Sequence, residues 1–437
     1  MARILTHNAR MNDADGQPLD PHALAGVRVL DLSRILAGPW STQTLADLGA
    51  DVVKIERPGH GDDSRTWGPP FLADAQGQDT SDSAYYLCAN RNKRSMCVDI
   101  TQPAGQALIR ELALRSDIVV ENFKVGDLKR YGLDHDSLLA LKPSLVICSV
   151  TGFGQTGPYA PRAGYDYAIQ GLGGLMSITG ERDDLPGGGP QKVGVAVADL
   201  FTGMYATVAI LAALRHAERT GQGQHIDMAL LDSQVAMLAG LASNYLVHGR
   251  HHDQVPGRMG NAHINVVPYQ VFEVAPHADG QADHMILAVG NDGQFQRFCA
   301  VAGQAAWAED PRFVKNADRV RHRAILVPMI AEVMRSRRKS DWLEALNAAH
   351  VPCGPVNNIA EVMADPHVQS RGMVEHWQHP KQPELQLVAS PMKLSQTPVR
   401  HGSPPPLLGQ HTDEVLAELL GWSGEEIAAA RTQGTVA

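Results

Sequence analysis

Five short runs of aliphatic and β-branched residues recur through the first third of the chain: "VRVLDL" (27–32), "DVVKIE" (51–56), "SMCVDI" (95–100), "DIVVENF" (117–123) and "SLVICSVT" (144–151). Runs this continuous, with little polar alternation, belong to strands buried on both faces. Helix patterns separate them. "PWSTQTLADLG" carries Pro39 early and Gly49 as a stop; "TQPAGQALIRELALRS" carries Thr101 as an N-cap candidate and Pro103 in the first turn. Strands and helices in this alternation specify an α/β fold, a parallel sheet covered on both sides.

The fifth run leads into Gly152-Phe153-Gly154-Gln155-Thr156-Gly157, which spells G-x-G-x-x-G. A dinucleotide site needs that spelling at the first strand, with a helix opening directly on it so that its N-terminus meets the pyrophosphate. Here Pro158, Pro161 and Gly164 follow, no helix pattern starts, and several strands precede. The turn after the first run, "DLSRILAGP", lacks the glycine triplet. The glycines therefore predict a tight turn at the carboxyl end of a strand, not an NAD site.

From Asp199 to about Leu246 the chain reads as long helices. "VGVAVADLFTGMYATVAILAAL" (193–214) has the length of a membrane span, but Asp199, Thr202, two glycines and Thr207 interrupt it, and a buried core helix is the expectation. From Gly257 the texture changes. "INVVPYQVFEV" and "HMILAVG" read as paired strands; "QFQRFCAVAG", "RAILVPMIAEVMRS" and "SDWLEALNAAH" read as helices of a smaller α+β unit.

The net charge of -9 and the lack of a long basic run argue against a nucleic-acid partner. Cys88, Cys97, Cys148, Cys299 and Cys353 form no C-x-x-C pair, so buried reduced thiols in a cytoplasmic protein are expected. "MARILTHNARMNDADGQPLD" has no apolar core of a signal peptide. His248, His251, His252 and His263 cluster in sequence, but their spacing fits no metal site; they are expected on a solvated loop, and no metal is expected. Asp199 stands inside an apolar run where a helix pattern begins. It is either an N-cap or a carboxylate kept for use.

Taken in order, "VRVLDLSRILAGP", "LADLGADVVKIERPGHGD", "NRNKRS", "SDIVVENF", "GFGQTGPY", "GYDYAIQGLGGLMSITG", "VADLFTGMYATVAILAAL" and "PLLGQHT" make the chain resemble the class III CoA-transferase family from about Gly26 to Thr412. The resemblance implies a large Rossmann-like domain whose parallel sheet is built from both chain ends, an inserted small α+β domain, and an interlinked homodimer. In this chain the implied segments are 1–230 (large, CoA-binding), 231–256 (helical linker), 257–352 (small domain) and 353–437 (linker and return to the large domain).

The resemblance places the nucleophile at Asp199. A nucleophilic carboxylate divides CoA transfer into easier steps, through mixed anhydrides and an aspartyl-CoA thioester. It also places the nucleotide end of the CoA substrate at Arg57, Val98, Asp99, Ile100, Asn122, Phe123, Lys124 and Arg130, and the pantetheine and thiol end at Leu36, Ala37, Ala163, Tyr165 and Asp166. No permanently bound cofactor is implied; the CoA thioester is substrate. The basic group Arg91, Lys93 and Arg94 reads equally as phosphate contacts or as solvated charge. The family's small-domain glycine run corresponds here to "RMGNAHINV", with a single glycine, so Arg258, Gly260, Asn261 and His263 are the substrate-loop candidates.

Related racemases place a histidine before the aspartate of their motif, where this chain has Gly164-Tyr165-Asp166. A tyrosine, with an ordinary pKa near 10, is a poor base at neutral pH, which favours transferase over an α-methylacyl-CoA racemase type. "VVPYQVF", "VGNDGQF" and "VPCGPVNN" most resemble the succinate/glutarate branch. Mesaconate, itaconate, citramalate, oxalate and carnitine remain alternative acceptors. A dicarboxylate needs a cation for its distal end, and Arg258 and His263 are the candidates.

Overall fold

The computed structural model describes residues 21–437; the stretch Met1–Asp20, on which the signal-peptide expectation falls, lies outside them. Six strands form one sheet: β1 (Arg28–Asp31), β2 (Asp51–Glu56), β3 (Lys93–Cys97), β4 (Ile118–Glu121), β5 (Val146–Thr151) and β6 (Gln224–Ala229). Every pairing is parallel and the order is β3-β2-β1-β4-β5-β6. The chain winds outward in one direction from β1 through β3 and in the other from β4 through β6. The crevice at the carboxyl ends of β1 and β4 is thus the switch point where such sheets bind ligands.

Alternate residues of the strands feed two cores. Val29, Val52, Ile118 and Val146 join α1 (Ala37–Asp47) and α4 (Val197–Thr220) on one face; Leu30, Val53, Val119 and Ile147 join α2 (Pro103–Leu114) and the helix Thr412–Leu420 on the other. The remaining helices that matter here are α3 (Asp166–Leu172) and α5 (Leu230–Met237). The helix stops are as the sequence predicts at α1, which ends before Gly49 at φ +106°. At α2 the N-cap is Gln102 rather than Thr101, whose hydroxyl bonds Asp99 at 2.6 Å instead; Pro103 opens the helix.

Three expectations need correction. The stretch read as unbroken helix contains β6. The sheet takes all its strands from residues 28–229; the carboxyl-terminal segment supplies two helices and a single bridge, Val98 to Val436, rather than a strand. α4 is long and apolar enough to cross a membrane, yet it is covered on one face only: Ala198, Gly203, Ala206 and Ile210 are buried, whereas Phe201, Met204, Tyr205 and Val208 are exposed. Gly203 allows the covered face to approach α1 closely, since a Cβ there would lie 2.7 Å from the Ala37 carbonyl oxygen.

The carboxyl-terminal segment seals the β3 edge. His411 donates its N–H to the Ser95 carbonyl and its Nδ1 accepts from Ser95 N–H; Gly409 N–H reaches the Ser95 hydroxyl at 2.9 Å, and Cys97 N–H reaches the Thr412 hydroxyl at 3.2 Å. An edge that would otherwise be open to pairing is closed by the "PLLGQHT" motif.

The charges near the sheet are structural. Lys93 pairs with Asp31 at 3.1 Å, Arg91 with Asp47, and Arg94 with Asp51 at 2.6 Å, so "NRNKRS" supplies internal ion pairs, neither the phosphate contacts nor the solvated charge expected. Burial pulls the Lys93 ammonium down to about 8 despite Asp31. Arg65 is buried over the Tyr86 ring, 3.7 Å from its centroid, and bonds both Glu56 and Asp82. Such pairs contribute little net stability when intact, but losing one partner strands a buried charge at a cost of about 3–5 kcal/mol.

The chain divides into two compact units: residues up to Gly173 with Gly194–Ala239 and His367–Ala437, and Gly174–Val193 with Gly240–Pro366. The second unit contains the expected strand pair, Tyr269–Val274 antiparallel to Asp283–Ala288, with Cys353–Pro355 added on the other side. Phe295, Phe298, Leu326, Ile330, Trp342 and Leu346 form its core. His248, His251 and His252 lie in helical turns (245–252) rather than a loop, with the His248 and His252 rings stacked at 4.0 Å. Among the described residues no cluster of metal-ligating groups is found. All five cysteines are free; Cys97, Cys148 and Cys299 are buried, Cys353 is half-buried and Cys88 is exposed.

Candidate active site

Asp199 is the third residue of α4, one turn inside a helix start that has no side-chain N-cap of its own. It is therefore not an N-cap. The free N–H groups of that turn are met from elsewhere: Asp166 Oδ1 accepts from Ala198 N–H at 2.8 Å and from Asp199 N–H at 3.3 Å. Asp166 Oδ2 accepts in turn from Gln170 Nε2 at 2.7 Å, one turn along α3. A carboxylate at a helix N-terminus is favoured by the dipole and replaces the absent cap, an effect of about 1 kcal/mol.

Among the described residues no hydrogen bond or ion pair engages the Asp199 carboxyl, which lies near a second negative group. Burial first, and then the Asp166 charge, push it up to about 7. Burial and the Asp199 charge likewise push the Tyr85 phenol up, which keeps its proton on at neutral pH. Perturbed groups of this kind gather at functional sites.

Asp199 lines a cavity with Leu36 and Ala37 from the start of α1, Asn122, Phe123 and Lys124 after β4, and Ala163 and Tyr165 before α3. A second cavity holds Arg57 after β2, Val98, Asp99 and Ile100 after β3, Phe123 again, and Arg130. Arg34 and Phe123 line both. All lie where the strands end. Of the expected CoA-binding residues, Asp166 lines neither cavity and serves as the cap of α4.

The glycine turn takes a definite form. Gly152 and Gly164 pack backbone to backbone, and a Cβ on Gly152 would lie 2.5 Å from the Gly164 Cα. The loop between them doubles back on itself to deliver Tyr165 and Asp166. Its middle is tied to β6: Gln155 N–H donates to Asp227, 2.9 Å from Oδ2. No helix opens on the glycines, as the sequence pattern predicts.

Sequence reasoning misses the turn before α1. Ile35 has φ +73°, a conformation that a β-branched residue adopts at a cost of ~1–3 kcal/mol. Nothing in "LSRILAG" signals this. Asp62, Lys54 and Tyr85 are equally silent: an aspartate in a loop, a lysine inside a strand and a tyrosine next to another.

In the second unit the expected substrate-loop residues are each engaged locally. Arg258 pairs with Asp183 and donates to the Ser177 carbonyl at 3.3 Å, while its Nε is buried without a partner. Gly260 has φ +60° and donates to the Gly180 carbonyl. Asn261 Oδ1 accepts from Val271 N–H at 2.9 Å, and His263 Nδ1 from Asn265 N–H at 3.0 Å.

Comparison with known proteins identifies the family. The profile described as CoA-transferase family III matches residues 24–412. A succinate–glutarate CoA-transferase of Agrobacterium fabrum is 52% identical over 396 residues, spanning 91% of this chain and 95% of that protein. The human succinyl-CoA:glutarate CoA-transferase is 40% identical, spanning 94% of this chain and 90% of its own length. Among solved structures, a CAIB/BAIF family protein from Brucella suis superposes with a TM-score of 0.78 at 46% identity, covering 91% of this chain and 99% of that one. A switch-point crevice with a raised aspartate at a helix start, found in a chain whose sequence tracks these relatives nearly end to end, makes the chain a transferase enzyme and a member of CoA-transferase family III.

Proposed function

We propose that the enzyme moves CoA from succinyl-CoA to a dicarboxylate, glutarate in the first instance, with Asp199 as nucleophile. The observation that carries the mechanism is the Asp199 carboxyl itself, lining the cavity and pushed up to about 7. The choice of acids rests on the substrates in the names of the Agrobacterium and human relatives.

An Asp199 oxygen attacks the thioester carbonyl, the C–S bond breaks, and CoA leaves as thiolate from a succinyl–aspartyl anhydride. The thiolate attacks the Asp199 carboxyl carbon and succinate departs, which leaves an aspartyl-CoA thioester. The acceptor carboxylate attacks the same carbon and expels the thiolate. The thiolate then attacks the acceptor's acyl carbon, releasing the new CoA ester and regenerating the Asp199 carboxylate. Charge develops on the carbonyl oxygens at each addition, so N–H donors at the cavity wall are the groups that accelerate it.

Arg57 and Arg130, in the second cavity, are the proposed phosphate partners. Arg258 is the proposed cation for the distal carboxylate; its Nε already lacks an acceptor. The exposed stripe Phe201, Met204, Tyr205 and Val208 on α4 supports the homodimer in the proposal, because a lone chain seldom leaves such a patch bare. The proposed location is the cytoplasm.

The test is a donor–acceptor panel. Succinyl-CoA with glutarate should give glutaryl-CoA by mass, and Asp199→Ala should abolish it. Transfer to none of the panel's acids, or full activity in Asp199→Ala, refutes the reading. Exchange of an α-proton without transfer would identify a racemase instead.

A further inference from the structure

The turn that delivers Leu36 and Ala37 to the cavity is held by side chains at each of its three residues. Asp31 Oδ1 accepts both N–H and hydroxyl of Ser33, at 2.9 and 2.5 Å. Lys54 Nζ donates to the Ser33 carbonyl at 2.9 Å. Asn122 grips Arg34 from both sides, its Oδ1 accepting Arg34 N–H at 3.0 Å and its Nδ2 donating to the Arg34 carbonyl at 2.7 Å. Asp62 accepts Ile35 N–H at 3.0 Å, and is itself paired with Lys54 at 2.8 Å. Lys54 and Asp62 are buried.

Ile35, at the end of this chain of bonds, is the residue with φ +73°. Left alone, an isoleucine relaxes out of that region. The next three residues explain why it is held. Leu36 precedes the helix with no side-chain cap, and α1 begins at Ala37. Among the described residues no acceptor meets the N–H groups of Leu36, Ala37 or Gly38. Leu36, Ala37 and Asp199 line the same cavity. Strain maintained by a buried ion pair beside a reacting group is an arrangement that keeps donors fixed before the substrate arrives.

We propose that Asp62, with Lys54 and Asn122, is a positioning clamp: it holds Ile35 in its left-handed conformation and thereby fixes the free N–H groups at the start of α1 as oxyanion donors for the thioester carbonyl that Asp199 attacks. The clamp acts through the turn rather than on the reacting carbonyl; Asn122 also lines the Asp199 cavity. The inference rests on the proposed role of Asp199.

The test uses the full-length enzyme with succinyl-CoA and its best acceptor. Asp62→Asn and Asn122→Ala should each lower kcat by about 10- to 100-fold, the scale of a misplaced reacting geometry, while in Asp62→Asn the KM for succinyl-CoA changes by less than about 3-fold, as expected when only transition-state contacts are lost. Adding Ile35→Gly to Asp62→Asn should restore kcat by about 10-fold, since glycine holds a positive φ without the clamp. A general structural role predicts no such rescue. If Asp62→Asn fails to fold, Asn122→Ala, which leaves the Lys54–Asp62 pair intact, carries the test through kcat and its recovery with Ile35→Gly. Unchanged kcat in the folded variant, a rise in KM alone, or no recovery with glycine overturns the clamp. Asp199→Ala is run beside them. If it remains active the nucleophile reading fails; if it is inactive while the clamp variants are not, only the clamp fails.

Discussion

Asp166 caps the helix that presents Asp199, accepting the Asp199 N–H at 3.3 Å, and its charge then acts on the Asp199 carboxyl. One side chain thus fixes the position of the nucleophile and helps set its protonation. Asp166→Asn keeps an oxygen acceptor for the cap but removes the charge. The acid limb of the kcat/KM profile should move to lower pH, because the second cause of the raised Asp199 value is gone. A profile that stays in place would assign the shift to burial alone.

For the unaltered enzyme, transfer should rise with pH through about 7, where Asp199 ionises, and fall about tenfold per pH unit well below it. Stability should run the other way. The folded value lies above the ordinary 3.8, so between about 4 and 7 the folded chain holds a proton that the unfolded chain has lost, and stability falls as pH rises through that window. Asp199→Asn should therefore raise Tm at pH 8, with the difference closing below about pH 4. Calorimetry at the two pH values measures this directly.

Gly164→Ala should disable the loop that delivers Tyr165 and Asp166. The added carbon would lie 2.4 Å from the Gly152 Cα, so one strand of the crossing must move. Overpacking of this kind costs ~1–3 kcal/mol. Denaturant titration and kcat should fall together, whereas Gly157→Ala, in open space, should lose only the smaller amount that its φ of +88° imposes.

Arg65→Met should be among the most destabilising single changes in the chain. It leaves Glu56 and Asp82 buried without their cation, at about 3–5 kcal/mol. Restoring a charge with Arg65→Lys should recover only part, since one ammonium cannot bond both carboxylates in the fork that the guanidinium uses. Urea denaturation of the three proteins gives the order.

The legible parts of this fold are those whose residues announce their own environment. β1, β2, β4 and β5 carry aliphatic runs that say so; β3 reads "KRSMC", two residues ahead of the expected 95–100, and only Met96 and Cys97 mark it as buried. β6 reads "QHIDMA", with Gln224 and Asp227 exposed at a sheet edge, and it carries no such signal. Its Asp227 nonetheless anchors the glycine loop. Asp199 is visible because an aspartate in an apolar run is conspicuous. Its cap is not: Asp166 reaches it across 33 residues of chain, and local pattern cannot encode that. Lys54 and Lys93 defeat the reading most completely, because a charged residue inside a strand suggests solvent, and both are fully buried. Only the partners, Asp62 and Asp31, make sense of them, and those are set by tertiary structure.

The tie between Ser95 and Gly409 spans 314 residues. During synthesis at about 5–20 residues per second, the β3 edge waits roughly 15–60 s for the segment that closes it. For that interval a nascent chain on the ribosome carries a strand with open hydrogen-bonding groups, ready to pair with a neighbour on the same messenger. That exposure is set by the order in which the polypeptide emerges and is the same however stable the finished enzyme is.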